Sequence, residues 1–402
     1  MRGFRRRAKV QQVQAWVDAL EVDLRSERVG LAGCAGRVLA EEVISEHAVP
    51  AFRRAAMDGW AVHGEETFGA KEDDPGTLTV VGVALPGRPW AEPLAPGTAV
   101  RIMTGAPVPE GADAVLRAED GDEQDARLTV RAPVPPGRHV GVVGEDVEVG
   151  TRILARGRML RPQDVGLAAS VGRPVLRVRR RPRVGLVVTG DELLPPGRHP
   201  EGAHIVDSNT PMLDALAARD GGVLEPALRL RDDRDALAQA LADAPGDLLL
   251  VSGGSSVGQE DHAPTLLAEQ GELAFHGVAL RPASPAGVGT LAGRPVFLLP
   301  GNPVSCLCAY DFFAGRLVRR LAGRDPAWPY RAVEATLARK VASVLGRVDY
   351  VRVRMTDEGV EPLMARGASI LSSTTEADGF LVVPRDSEGW PEGERVEVCL
   401  YG

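Results

Sequence analysis

The sequence is poor in cysteine, lysine and aromatic residues, and it has no long apolar run. Its four cysteines, Cys34, Cys306, Cys308 and Cys399, follow no framework or metal-ligand spacing. That excludes a disulfide scaffold and leaves a reduced, cytoplasmic protein as the expectation. No apolar stretch nears the roughly 20 residues that span a bilayer, so no membrane segment is expected. Arg2, Arg5, Arg6, Arg7 and Lys9 are followed by Gln11, Gln12 and Gln14, not by an apolar segment, so no secretory signal is expected. The chain contains no Gly-Lys pair, which excludes a P-loop, and it lacks zincin and dinucleotide fingerprints. A net charge of −8 argues against a nucleic-acid binder. Only three of the 47 basic residues are lysines, namely Lys9, Lys71 and Lys340.

What is present is a substantial core. The 402 residues are 44% apolar, enough for two to four domains. Residues 8–45 read as helical, with Val13, Trp16, Val17 and Leu20 at helical spacing. From Val49 to about Val140, short β-type runs (Leu78–Val83, Ala99–Met103, Ala114–Ala118, Leu128–Ala132) alternate with Pro/Gly turns. The acidic stretch Glu119–Asp125 reads as an exposed loop. Residues 152–183 hold ten arginines against Asp164 alone, which gives either a solvated basic face or an anion-steering surface. Helical patterns follow at Pro211–Arg219, Asp233–Ala242, Ala263–Glu269 and Val304–Leu321, with Thr210 as an N-cap. Trp328–Tyr330 reads as a linker, and β alternation returns in 331–402.

Three apolar runs end abruptly in glycine-rich turns. Val184–Val188 precedes Thr189-Gly190-Asp191-Glu192, Leu248–Val251 precedes Ser252-Gly253-Gly254, and Val296–Leu299 precedes Pro300-Gly301-Asn302-Pro303. Parallel strands buried on both faces read as unbroken apolar runs. Ligands of open α/β sheets sit beyond the carboxyl ends of such strands. Glycines there let main-chain N–H groups approach an anion, and a helix N-terminus adds partial positive charge. Asp191, Glu192, Asp207, Glu260 and Asp261 fall near these ends, which as a set suits a hard cation held jointly with substrate phosphate; singly, each reads better as a turn or cap residue. Gly254-Ser255-Ser256-Val257-Gly258 fits a nucleophile elbow, but Pro264 and polar residues follow instead of the required helix.

Six ordered motifs carry a resemblance across essentially the whole chain. They are Ala56-Met57-Asp58-Gly59-Trp60-Ala61, Arg101 to Pro109 (RIMTGAPVP), Gly144-Glu145-Asp146, Thr189-Gly190-Asp191-Glu192-Leu193, Ser252-Gly253-Gly254 with Ser256-Val257-Gly258, and Leu299-Pro300-Gly301-Asn302-Pro303-Val304-Ser305. In this order they resemble the molybdopterin molybdenumtransferases, the family that includes the gephyrin E domain. The resemblance implies a multidomain α/β and β protein. Its parts would be a discontinuous N-terminal linker and dimerisation domain (1–48 and 139–178), a small β lid (49–138), a three-layer α/β pterin-binding domain (179–323) and a C-terminal β-barrel (327–402). It also implies a homodimer that inserts molybdate into adenylylated molybdopterin with Mg²⁺ and releases AMP. An adenylyl-transferring enzyme would be a partner.

The resemblance assigns activity to Asp58, Thr104, Asp146, Glu192 and Asp261, and Mg²⁺ to Asp191, Glu192 and Asp261. Substrate would be held by Gly190, Ser252, Gly253, Gly254, Ser256, Arg281, Pro300, Gly301, Asn302, Pro303 and Ser305. The chain departs from the family at its basic positions. Gly141, Val142 and Val143 stand where arginines are usual, and Gly277, Arg281 and Ser284 where lysines are usual. Arg281 keeps the charge; the others lose it. Arg53 and Arg54 are candidate compensators. These losses keep open an alternative reading as a non-catalytic pterin carrier, and a third as a dimeric scaffold.

Overall fold

The computed structural model describes residues 7–254, 262–363 and 369–402. The chain divides into two compact units. The first comprises residues 1–27, 36–38 and 179–402, and the second residues 28–35 and 39–178.

The first unit is built on a seven-stranded mixed sheet. Its centre is three adjacent parallel strands, Arg183–Thr189, Leu248–Ser252 and Arg294–Leu299. These are the three apolar runs of the sequence. Each is unbroken because both faces are covered. Val184, Leu186, Val188, Leu248, Leu250, Phe297 and Leu299 face one cluster, and Val187, Leu249, Val251, Val296 and Leu298 face another. On the first face lie the helices Val10–Ala19, Asn209–Arg219 and the continuous helical stretch from Pro303 to Leu321. On the second lie Arg234–Asp243 and Ala263–Gln270. The unit is therefore a three-layer α/β arrangement, as expected. Register fixes the functional edge: Val188 pairs with Ser252, and Ser252 with Leu299, so all three strands end at one level.

The C-terminal strands form a second sheet in the same unit, in the order Gly359–Pro362, Val348–Thr356, Gly379–Val383, Arg395–Leu400, Arg331–Thr336. Its two ends are joined by one bridge, Leu337 to Val360. The Trp328–Tyr330 segment is fastened, not loose. The Trp328 ring meets Phe312 and Phe380 edge-on, with centroids 4.9 and 5.4 Å apart. Tyr330 donates its hydroxyl hydrogen to Asp311 (2.8 Å) and stacks beneath Arg219. Asp311 and Asp220 are fully buried, and Arg219 bonds both.

The second unit carries a six-stranded sheet in the order Ala114–Arg117, Gly59–Val62, Thr98–Ile102, Gly76–Ala84, Arg127–Val130, Gly121–Gln124. Its two faces bury separate clusters around Trp60 and Ile102.

Several sequence expectations are corrected. The N-terminal helix spans only Val10–Ala19, and the chain then turns extended at Leu20. Helical spacing is present through Leu20, but Gly30, Gly33 and Gly36 cannot sustain a helix as far as residue 45. Glu119–Asp125 is not a loop. It holds the edge strand Gly121–Gln124, hairpinned to Arg127–Val130 through Asp125 and Ala126, both at positive φ as a primed turn requires. Charge on that edge also discourages pairing with other chains. The helix at Asn209 is capped by Asp207, not Thr210: the Asp207 carboxylate accepts from Thr210 N (3.0 Å) and Thr210 Oγ1 (2.5 Å). The arginine-rich stretch is largely neutralised. Arg158 and Arg161 bind Asp164, Arg173 binds Glu46, Arg180 binds Asp247 and Arg183 binds Glu225. This is the solvated, paired face.

Candidate active site

The aligned strand ends open onto a cavity of about 730 Å³. Its wall includes Thr189, Gly190, Glu192, Asp207, Asn209, Ser252, Gly253, Gly254, Pro300, Gly301, Asn302 and Pro303. Nine sequence-predicted site residues are thus brought together: Gly190, Glu192, Ser252, Gly253, Gly254, Pro300, Gly301, Asn302 and Pro303.

Close chain approach explains the glycine after the second strand. Gly253 sits at φ +96°, and a Cβ there would lie 2.3 Å from the Thr189 carbonyl oxygen. Only glycine lets these two turns touch. Asn209 ties the remaining turn in. Its Nδ2 donates to Ser252 Oγ (2.9 Å) and to the Gly301 carbonyl (2.8 Å). Thr189 Oγ1 and Asn209 Oδ1 are buried here without a hydrogen-bond partner among the described residues. Beneath the turns, burial pushes the Cys306 thiol up to about 12, so it stays protonated and inert.

The acidic residues separate into different roles. Glu192 is exposed on the cavity wall, with its carboxylate folded over Gly190. Asp191 is exposed and turned to Asp232, whose N–H it accepts at 3.3 Å; it is not part of the cavity wall. Asp207 lines the cavity but is buried and committed to the helix cap and to Arg229 (3.3 Å). Ser256, Glu260, Asp261 and the nucleophile-elbow residues from Ser255 to Gly258 lie outside the described residues. Among the described residues, no three His, Cys, Asp or Glu side chains converge as a metal cage.

A second cavity of about 710 Å³ shares Pro285, Pro300 and Asn302 with the first. Ser305 and Arg281 line this one. The Arg281 guanidinium is held by the fully buried Asp349 at 3.0 Å, a carboxylate it shares with Arg347.

Asp58 and Thr104 belong to the second unit and meet directly although they are 46 positions apart. The Asp58 carboxylate accepts from Thr104 N and Thr104 Oγ1, both at 2.7 Å. The backbone bond, then the hydroxyl bond, holds its pKa below the usual carboxylate range. Thr104→Ala is expected to raise the Asp58 pKa part of the way back, because one of two donors remains. Carboxyl-carbon NMR titration reads this directly. Asp146 is exposed, and its N–H donates to the Val49 carbonyl (3.0 Å). Arg53 donates to the Ala112 carbonyl (2.8 Å), and Arg54 lies 3.9 Å from Glu145. Arg54 is therefore partly neutralised.

Comparison with known proteins gives the site its context. Residues 8–172 match the MoeA N-terminal region (domain I and II), residues 185–320 a probable molybdopterin binding domain, and residues 334–401 the MoeA C-terminal region (domain IV). The chain belongs to the molybdopterin molybdenumtransferase family. Molybdopterin molybdenumtransferase 2 of Mycobacterium tuberculosis is 35% identical, over 97% of this chain and 98% of its own. The molybdopterin molybdenumtransferase of Haemophilus influenzae is 31% identical over 95% of each chain. A crystal structure of a molybdopterin biosynthesis MoeA protein from Pyrococcus horikoshii superposes with a TM-score of 0.83. It is 32% identical and covers 99% of this chain and 100% of that one.

Within this member of the molybdopterin molybdenumtransferase family, sequence reasoning missed Thr189, Asn209 and Asp232 on the first cavity and Arg352 on the second. Ser208-Asn209-Thr210 reads as a helix cap, which hides Asn209. Arg352 sits in an alternating β pattern, yet it is buried, with its guanidinium bonded to Ser373 Oγ and the Ile370 carbonyl. No helix among the described residues is long and apolar enough to cross a membrane.

Proposed function

We propose that this chain inserts molybdate into adenylylated molybdopterin, with Mg²⁺ as cofactor and AMP as the released product. The observation that carries the reading is the level edge of three parallel strands. Its turns meet through Gly253 and present main chain and Glu192 to one cavity. Both substrates are rich in acceptor oxygens. Main-chain N–H groups beside a helix start suit them, and so do nearby cations.

The donor set fits Mg²⁺. The cavity offers oxygen ligands, and Glu192 is the exposed carboxylate on its wall. Mg²⁺ commonly takes one or two carboxylates and completes its shell with water and substrate phosphate. Glu192, with Asp261, would hold it, and bound there it would neutralise phosphate and oxyanion charge, whereas Asp191 is turned to Asp232. Gly190, Ser252, Gly253, Gly254, Ser256, Gly301, Asn302 and Pro303 would hold the substrate, while Arg281 and Ser305 would act from the adjoining cavity. Asn209 would keep the turns in place. Asp58, Thr104 and Asp146 would contribute to activity, in a cytoplasmic homodimer fed by an adenylyl-transferring enzyme. The domain limits proposed with this reading are 1–48 with 139–178, 49–138, 179–323 and 327–402.

The test is AMP release, followed by chromatography, from purified protein with adenylylated molybdopterin, MgCl₂ and sodium molybdate. Release that requires both Mg²⁺ and molybdate is expected. A second reading, a pterin carrier without turnover, draws on one observation. Val142 and Val143 are 59% and 51% exposed where the family usually carries arginine. Tight substrate binding with no AMP release would favour it and remove the first reading.

A further inference from the structure

Each arginine around the second cavity has a bonding partner within the protein, although one carboxylate serves two of them. Arg281 and Arg347 both meet the buried Asp349, at 3.0 and 2.8 Å. Arg339 meets Glu361 at 3.3 Å. Arg352 is 2% exposed and fixed by Ser373 and Ile370. Lys340 differs. It is exposed, lines the cavity, and has no ion pair or side-chain hydrogen bond to any described residue. Its environment therefore leaves a positive charge available to a ligand, at the end of a flexible stem. The wall continues through Pro285, Pro300 and Asn302 into the glycine-turn cavity, so an anion bound at one can extend into the other.

We propose that Lys340 is a ligand-binding residue of this site. Its ammonium would contact a phosphate or tetrahedral oxyanion lodged in the second cavity. The inference rests on the reading above that the joined cavities take an acceptor-rich anionic substrate. The chemistry is that of a compact point charge with three donors. One chemistry has two sources here, the phosphate of a nucleotide-bearing substrate or a free metal oxyanion.

The experiment is calorimetric titration of the full chain with AMP and, separately, with sodium tungstate, at low and moderate salt. The variants are Lys340→Gln, Lys340→Glu and Lys340→Arg, with Lys71→Gln as a control on an exposed lysine of the other unit. Lys340→Gln is expected to weaken binding by about tenfold, the lower range for a charge-assisted hydrogen bond at an exposed site. Lys340→Glu should weaken it further. Lys340→Arg should restore most of it, and Lys71→Gln should change nothing. The salt dependence of the affected ligand should shrink in Lys340→Gln, because the screened charge is gone. Loss confined to AMP identifies a nucleotide phosphate, and loss confined to tungstate a free oxyanion. Wild-type affinity for both ligands in Lys340→Gln and Lys340→Glu would overturn the proposal while leaving the site reading intact. If the wild-type chain binds neither ligand, the site reading and this proposal both fall.

Discussion

Gly253→Ala is expected to destabilise the first unit by about 2–4 kcal/mol and to abolish nucleotide binding. The added methyl meets two obstacles at once. The backbone stands at φ +96°, where an L side chain is strained, and the Cβ would come within 2.3 Å of the Thr189 carbonyl oxygen and 3.0 Å of its Oγ1. Neither contact involves the far end of a flexible side chain. The turn must therefore retreat from the neighbouring strand end, and the level edge is lost. Thermal unfolding should fall by about 5–10 °C for a unit of this size. Gly301→Ala is the control. Its Cβ would meet only the Gly253 Cα at an ordinary 3.7 Å, and its φ is not positive. Its melting temperature should stay near wild type. Equal losses in the two variants would show that close approach of the turns is not what Gly253 provides.

Glu192→Gln is expected to lower turnover by about 100-fold or more while leaving the melting temperature unchanged. The side chain is exposed, so no packing is lost. The amide keeps the shape of the carboxylate but not its charge, and a neutral oxygen is a poor ligand for a hard divalent ion. Raising MgCl₂ should recover part of the activity if the ion is also held by substrate oxygens. Turnover within threefold of wild type would exclude Glu192 from ion binding and from the reaction.

The three central strands were legible in the sequence because burial on both faces writes an unbroken apolar run. The glycine turns were legible because they interrupt those runs at one end only. What stayed hidden depends on long-range partners. Nothing near Arg281 announces Asp349, 68 positions later, which pairs with it. Asp191 and Glu192 are neighbours of similar chemistry, and only the folded turn sends one to Asp232 and the other to the cavity wall. Asn209 carries a cap signal, so its bridging of two strand ends could not be read locally. The first helix was overextended for a related reason: periodicity marks a face, whereas the stop at Leu20 came from the backbone turning extended before any glycine. The pairing of Asp58 with Thr104 was suggested only as shared membership of a site, and the direct bond required the sheet that brings Gly59–Val62 beside Thr98–Ile102.

The apolar side chains that stabilise the α/β layers lie within the strands and helices, whereas most of the cavity wall is turn, which the central strands reach through Val188, Thr189 and Ser252. Folding and chemistry therefore meet only at the ends of those strands. A lineage can retool its cargo by exchanging turn residues, at small cost to the scaffold, provided Gly253 survives.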